Sequence, residues 1–166
     1  MKKPLPSQAR LRELLDYDPL TGGLVWKLSP ANNIPAGSPV GGQGSSNNRT
    51  ARIDGGRYPT QRLIWKLVTG DDPPHLVDHK NGNFTDNSWE NLRLATHSQN
   101  NANKRLKSST SGLPKGVFRS RSGRRYGASV KFSGVSHFLG YFDTPDEAHQ
   151  AYRKAAIDLH GEFAAV

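Results

Sequence analysis

The sequence predicts an α+β fold, in which a strand–loop–strand–helix unit is followed by a small three-stranded antiparallel sheet packed on one helix. Only 34% of the 166 residues are hydrophobic, whereas Gly and Pro number 17 and 11, which favours small modules over one large core. The six Phe, five Tyr and three Trp argue against general disorder. Strand-like and helix-like patterns also alternate over short distances, as in an α+β chain.

The N-terminal α+β region is predicted over residues 1–74. Ser7 can cap a short helix over 7–15, and turn residues then precede a strand at Leu24–Trp26. Residues 30–50 are rich in Gly, Ser, Asn and Pro and therefore predict a loop.

A hairpin and a helix are predicted to complete this region. Asp54-Gly55-Gly56 is typical of the turn of a hairpin over 51–58, and Gly70 can end the helix that follows. Four arginines along this stretch either contact backbone phosphate or form a solvated basic face. They are Arg49, Arg52, Arg57 and Arg62.

The central module is predicted over residues 75–107. His75 to His79 is short and extended, and Asn81-Gly82-Asn83 has the composition of a turn. A second strand is predicted over 91–95. Thr96 and Gln99 form a capping-box pattern, which predicts a helix from Thr96 to about Arg105.

Three side chains of the central module have the chemistry of phosphodiester hydrolysis. That reaction needs a base that activates water, and a histidine side chain can accept a proton near neutral pH. It also needs charge stabilisation, for which a hard divalent ion takes carboxylate and amide oxygens as ligands. Asp78, His79 and Asn100 provide this set.

One geometric condition applies to Asp78 and His79. Neighbouring residues of a regular strand point to opposite faces, so both can serve one substrate only if the strand ends or bends there. Asn81-Gly82 makes such a bend plausible.

Three segments of the central module resemble the HNH endonuclease family, in the form found in phage and homing-type enzymes. The resemblance implies a ββα-metal (His-Me finger) fold for the nuclease core. The matching segments are Asp78-His79, Asn91-Leu92 and Thr96-His97-Ser98-Gln99-Asn100-Asn101.

The resemblance also implies roles for individual residues. His79 would be the general base, and Asp78 and Asn100 would hold a single Mg²⁺ or Mn²⁺ ion. Asn91 would be the middle residue of the motif, which in this family braces the loop by hydrogen bonds. His97 is the alternative metal ligand. Many members carry a cysteine-bound zinc, but this chain has no cysteine and can have no zinc-cysteine site.

Other polar and aromatic residues of the chain have simpler interpretations. Asn81, Asn83 and Asn87 are expected to form turns rather than to bind metal. Trp65 and Trp89 are expected to anchor the core. His75 is expected to have no functional role.

The C-terminal module is predicted over residues 115–166, after a Ser/Gly/Pro-rich linker at 108–114. Three strand-like runs, at 116–119, 126–132 and 137–142, are separated by Ser-Gly turns. A helix then begins with Thr144 as its cap and ends at Gly161.

The first two strands of this module carry a cluster of cations, and no acidic residue occurs from 108 to 142. The cluster favours duplex DNA binding, with phosphates neutralised and one or two arginines reaching guanine edges in the major groove. The alternative is a solvated basic sheet. The candidate DNA-binding residues are Arg119, Arg121, Arg124, Arg125 and Lys131, with Lys115 beside them.

Residues 112–166 also resemble the plant ethylene-response-factor (AP-two type) DNA-binding domain. The matching segments are Gly116–Arg119, Tyr126–Val130, Phe138–Thr144 and Ala148–Ala156, with His160–Ala164 as the closing stretch. Tyr126 lies where that family usually has Trp. The resemblance implies that this module binds DNA.

The charge of the whole chain agrees with a nucleic-acid partner. Lys and Arg number 23 against 14 Asp and Glu, giving a formal net charge of +9. The sequence contains no apolar run long enough to cross a bilayer and no signal-peptide core, so we expect a soluble, cytoplasmic protein that does not bind membranes.

The sequence therefore predicts a divalent-metal-dependent HNH endonuclease that cuts duplex DNA and is targeted by its C-terminal domain. We expect a monomer or weak dimer without an obligate protein partner. Two alternatives remain open: a non-catalytic, sequence-specific DNA-binding transcriptional regulator, and an RNA-directed nuclease.

Overall fold

A computed structural model describes residues 4–41, 49–104 and 112–165, which fall into two compact units. The first unit is Met1–Ala95 and the second is Thr96–Val166. This division differs from the predicted modules, because the helix after Thr96 groups with the C-terminal sheet. The predicted linker at 108–114 lies largely outside the described residues.

In the part of the first unit that the structure describes there are three antiparallel hairpins and two helices. Leu15 pairs with Trp26, Ile53 with Gly56, and His79 with Leu92. The elements are α1 (Gln8–Leu14), β1 (Leu15–Tyr17), β2 (Leu24–Trp26), β3 (Thr50–Ile53), β4 (Gly56–Pro59), α2 (Thr60–Thr69), β5 (Leu76–His79) and β6 (Leu92–Ala95), with a 3₁₀ turn at Trp89–Asn91.

Local sequence chemistry explains the ends of these elements. The Ser7 side chain accepts a hydrogen bond from the Arg10 amide and caps α1, as predicted. Asp54 and Gly55 both have positive φ, which is the backbone of a tight hairpin turn. Gly70 is left-handed (φ 85°) and ends α2, which confirms the predicted stop.

One apolar cluster holds the first unit together. Residues from both helices and all three hairpins contribute to it, so the β5–β6 hairpin is anchored on the same core as the N-terminal region. Its buried members are Leu11, Leu15, Leu24, Trp26, Val40, Ala51, Ile53, Tyr58, Leu63, Ile64, Val77 and Leu92.

Among its described residues the second unit has a three-stranded antiparallel sheet packed on one long helix, consistent with the predicted C-terminal sheet, and the chain as a whole is of mixed α and β structure. Thr144 and Glu147 form the predicted capping box. Val130 packs against Tyr152 and Ala156 in the small core. The elements are α3 (His97–Ala102), β7 (Val117–Arg119), β8 (Tyr126–Phe132), β9 (Val135–Phe142) and α4 (Pro145–His160), with a 3₁₀ turn at Gly161–Phe163.

Helix α3 is shorter than predicted, since it ends at Ala102, and the predicted end at Arg105 lies outside the described residues. Within the second unit, the Lys115 ammonium donates to the carbonyls of Ala102 and Lys104 and so binds the end of α3 to the segment that precedes β7. No helix among the described residues is long and apolar enough to cross a membrane.

Candidate functional site

His79 is the last residue of β5 and lies at the start of a turn. The Gly82 amide donates to the His79 carbonyl at 2.9 Å, and Gly82 has φ 69°. The strand therefore ends at the position where the two neighbouring candidate residues require an end or a bend. Asp78 and His79 are both buried, each 7% exposed.

The His79 ring is oriented by a buried amide. Its Nε2 lies 2.9 Å from Oδ1 of Asn87, which is 4% exposed. In the tautomer in which Nε2 carries the proton, Nε2 donates to this amide oxygen and the lone pair is on Nδ1.

Asp78 has a different partner, on the neighbouring strand. It pairs in register with Arg93 of β6, and Arg93 Nε lies 3.2 Å from Asp78 Oδ2. Both side chains are 8% exposed. Such a buried ion pair fixes the carboxylate in place, and removing one partner would take away a charge that stabilises the other.

Asn91 closes the loop between β5 and β6. Its Oδ1 accepts from the Asn81 amide at 3.0 Å, and its Nδ2 donates to the Asp86 carbonyl at 2.7 Å. The Lys80 amide donates to the Asn91 carbonyl. Asn91 thus makes bracing hydrogen bonds within the loop.

The rest of the loop folds on its own polar side chains. Asn81 and Asn83 accept from the backbone amides two residues ahead, which confirms them as turn formers. Hydrogen bonds from the Ser88 hydroxyl and amide lower the pKa of Asp86. Asp86 also accepts from the Asn81 side chain at 2.8 Å.

The N-terminal hairpin holds the loop at Asn87. The Tyr17 hydroxyl donates to the Asn87 carbonyl at 2.8 Å, and the Trp89 amide donates to the Pro19 carbonyl at 2.9 Å. Gly22 (φ 73°) approaches so closely that a Cβ there would overlap the backbone of Asn87 and Ser88. Burial raises the pKa of Tyr17 to about 12.

Asn87 and Arg93 were missed as site residues from the sequence. Asn87 was expected to form a turn, but its side chain is buried against the His79 ring. No local pattern marks this contact, since the two residues are eight positions apart across an irregular loop. The one available signal for Arg93 was an arginine between two leucines in a predicted strand.

The two tryptophans expected in the core, and the histidine expected to have no functional role, have structural contacts or are exposed. Trp65 and Trp89 pack with ring centroids 5.2 Å apart and contact the apolar core. His75 is exposed, and its carbonyl accepts from Arg62. Arg57 donates to Thr50 within its own hairpin. These contacts give Arg57 and Arg62 structural partners.

His97 and Asn100 lie in the first turn and a half of α3, in the second unit. Thr96 caps this helix, and the Asn100 amide donates to the Thr96 carbonyl at 2.9 Å. The predicted capping box with Gln99 is present. His97 is exposed and Asn100 is half-buried.

The donor atoms of the candidate residues fit a hard divalent ion. Asp78 and Asn100 supply carboxylate and amide oxygens, the ligands that Mg²⁺ prefers. The described residues contain no group of three or more His, Asp or Glu that could hold a metal ion.

The cations of the second unit do not share one face of the sheet. The Arg119 guanidinium lies 5.3 Å from the ring centroid of Tyr126, with which it is paired. Arg125 donates to the Tyr141 carbonyl and forms an ion pair with Asp143 at 3.1 Å. Arg121 and Arg124 are exposed in the β7–β8 turn, and Lys131 is exposed on β8.

Lys115 is a structural residue in this unit. Its ammonium donates to three backbone carbonyls, those of Ala102, Lys104 and Ala165. Burial lowers its pKa. A lysine enclosed in this way is not available to a phosphate.

Residues 58–102 match the sequence profile of the HNH endonuclease family, a stretch that contains all the motif residues named above. An uncharacterized HNH endonuclease of Acanthamoeba polyphaga mimivirus is 41% identical over 114 residues. That match covers 68% of this chain and 58% of the relative. Protein 3.8 of Escherichia phage T7 is 34% identical over 103 residues, which cover 61% of this chain and 84% of the relative.

The chain contains an HNH endonuclease domain over residues 58–102, as the central motif predicted. It spans just over half the length of the mimivirus relative. No solved structure gives a significant match.

Proposed function

We propose that this protein is a divalent-metal-dependent endonuclease that hydrolyses phosphodiester bonds in duplex DNA, with His79 as the general base. The observation that carries this proposal is the buried contact between His79 Nε2 and Asn87 Oδ1 at the end of β5. In the tautomer in which Nε2 donates in that contact, Nδ1 can take a proton.

His79 Nδ1 would accept a proton from a water molecule as the water oxygen attacks phosphorus. The bond from phosphorus to the 3′ oxygen then breaks, leaving a 5′ phosphate on one product, and the departing 3′ oxygen takes a proton from solvent to become the 3′ hydroxyl of the other. Asn87 keeps the ring in position while its charge increases, because Nε2 remains bonded to the amide oxygen.

Asp78 and Asn100 would hold one Mg²⁺ or Mn²⁺ ion, with His97 as the alternative ligand. When bound, the ion would neutralise charge on the phosphoryl oxygens and on the departing 3′ oxygen. Arg93 orients the Asp78 carboxylate through their ion pair, and Asn91 braces the loop that follows His79.

The C-terminal unit would bind the DNA, as its resemblance to the AP-two type domain implies. Exposed Arg121, Arg124 and Lys131 support this assignment because they have room to neutralise phosphates. Arg119 and Arg125 would join them, although Arg125 would have to exchange its pairing with Asp143 for a phosphate.

A cleavage assay on mixed duplex DNA, with Mg²⁺ or with EDTA, tests the proposal. We expect Mg²⁺-dependent cutting, and sequencing of the product ends should find 5′ phosphates. DNA binding without any metal-dependent cutting would contradict the nuclease and favour the transcriptional regulator. Faster cleavage of folded RNA than of duplex DNA would instead favour an RNA-directed nuclease.

A further inference from the structure

The three-stranded sheet has one face covered by α4 and one face that carries three exposed aromatic side chains. Phe118, Phe138 and Tyr141 are 39%, 57% and 48% exposed. The ring centroids of Phe118 and Phe138 are 6.5 Å apart, and those of Phe138 and Tyr141 are 5.0 Å apart. We call these three residues the aromatic face.

Strand register places the three rings on the same side. Gly127 of β8 pairs with Phe118 on one neighbour and with Tyr141 on the other, while Ser129 pairs with Phe138. Residues 127 and 129 point to one face because side chains alternate along a strand. Val130, between Ser129 and Lys131, points to the opposite face and packs against α4.

Gly127 lies directly beneath the Phe118 ring of the aromatic face. A Cβ at this position would overlap the ring of Phe118, so the ring lies directly over the strand backbone. This close approach places Phe118 beside Phe138, so the backbone of the sheet fixes the arrangement of the cluster.

The surroundings of the aromatic face are basic. Lys131 lies on the same side by alternation along β8, and exposed Arg121 and Arg124 lie in the adjoining β7–β8 turn. The sequence has no acidic residue from 108 to 142. Exposed rings next to exposed cations fit a ligand that is both polyanionic and aromatic.

The chemistry of the rings distinguishes unpaired bases from a closed duplex. Two of the three side chains have no hydrogen-bonding group, so the cluster cannot read the donor and acceptor pattern of the major groove. In a duplex the flat faces of the bases are covered by stacking. Unpaired bases expose those faces, and aromatic side chains bind them with little sequence preference.

We propose that the aromatic face binds single-stranded DNA by stacking unpaired bases on Phe118, Phe138 and Tyr141, with Lys131 and the β7–β8 turn contacting the backbone. This site goes beyond the proposed nuclease and does not depend on His79. It would give the second unit a preference for DNA that contains unpaired nucleotides.

Binding of the full chain to fluorescent oligothymidylate tests the proposal, using about 16 nucleotides and EDTA to prevent cutting. Phe138→Ala should weaken this binding about tenfold, since each stacked base contributes strongly, while the affinity for a blunt duplex should change less than twofold. Phe138→Tyr keeps a ring and should restore most of the affinity. Tyr141→Ala should repeat the loss.

Val135→Ala is the matched control, because Val135 is 59% exposed on the same strand but pairs with Phe132. Its register places it outside the aromatic face, so the affinity for the oligonucleotide should be unchanged. The proposal is overturned if Phe138→Ala binds oligothymidylate like the wild type. It is also overturned if the variant loses affinity equally for the single strand and the duplex.

The dependence on salt gives an independent readout of the same site. Phe138→Ala removes no charge, so the slope of log affinity against log salt should match the wild type. Arg121→Ala should reduce the magnitude of that slope by about 1, because the proposed site places Arg121 against a backbone phosphate. A changed slope in Phe138→Ala would overturn the stacking mechanism, whether or not the protein cuts DNA.

Discussion

At the scale of single residues, the Asn87 side chain orients the ring of His79, the candidate general base. The contact is buried and 2.9 Å long, so it holds the ring in one orientation. Asp78 is fixed separately by Arg93 on the neighbouring strand. The two adjacent candidates are therefore oriented by different residues, neither of which belongs to the family motif.

Replacing Asn87 with Ala should slow cleavage about 10- to 100-fold, since losing the hydrogen bond that orients a functional histidine typically costs this much activity. DNA affinity should stay unchanged, because Asn87 is an uncharged side chain that is only 4% exposed. Asn87→Asp keeps an acceptor for Nε2 and should recover part of the rate. Single-turnover kinetics at saturating DNA measure the effect.

Asn83→Ala is the control for this experiment, since Asn83 is an exposed asparagine in the same loop. It should have a small effect on the cleavage rate. If Asn87→Ala cuts DNA as fast as the wild type, Asn87 has no part in orienting the base.

Replacing Arg93 with Met should lower the free energy of unfolding by about 3 kcal/mol, because the buried Asp78 carboxylate loses its cationic partner. Urea denaturation of the full chain measures the change. Arg124→Met, at an exposed arginine, should alter stability by less than about 0.5 kcal/mol. Equal stability of the two variants would show that the ion pair is not fully desolvated.

At the scale of elements, the β1–β2 hairpin positions the loop that carries Asn87. Tyr17 donates to the Asn87 carbonyl, and Gly22 packs against the backbone of Asn87 and Ser88. The N-terminal hairpin is therefore connected to the His79 ring through Asn87. The N-terminal region and the β5–β6 hairpin also contribute to one apolar core.

Because the Tyr17 hydroxyl is partly buried, we expect the free energy of unfolding to depend on pH in the alkaline range. Burial raises its pKa from 10.0 to about 12. The unfolded chain thus loses this proton at lower pH than the folded chain, so the stabilisation is complete below pH 10.0 and disappears as the pH rises to about 12. Wild-type stability should fall more steeply over this range than that of Tyr17→Phe.

Urea midpoints measured on both sides of this range test the prediction. At neutral pH, Tyr17→Phe should lose about 1 kcal/mol with the hydrogen bond to Asn87. Tyr141→Phe, at an exposed tyrosine, controls for the titration of other groups. Parallel curves for wild type and Tyr17→Phe above pH 10.0 would mean that Tyr17 is not buried from solvent.

Elements specified by neighbouring residues could be predicted from the sequence. The Asp54-Gly55 turn and the capping boxes at Thr96 and Thr144 are local chemistry, and each lies where its pattern places it. Asn87 and Arg93 could not be predicted as site residues, because their contacts depend on how a loop and a strand pair fold together. The grouping of α3 with the second unit depends likewise on contacts distant in sequence.

At the scale of the whole molecule, the two units have separate cores and different chemistry. The first contains the oriented His79 and the Asp78–Arg93 pair. The second contains Asn100, the exposed cations and the aromatic face. We therefore expect substitutions in the sheet to change DNA binding and substitutions at the end of β5 to change cutting.

The most direct test of the central claim is the Mg²⁺-dependent cleavage rate of His79→Ala at saturating duplex DNA, compared with the wild type and with His75→Ala. We predict that His79→Ala loses at least about 100-fold in rate, as expected for a general base, and still binds DNA. His75→Ala, at an exposed histidine four residues away, should cut like the wild type. A His79→Ala variant that cuts at the wild-type rate would contradict the assignment of His79 as the base.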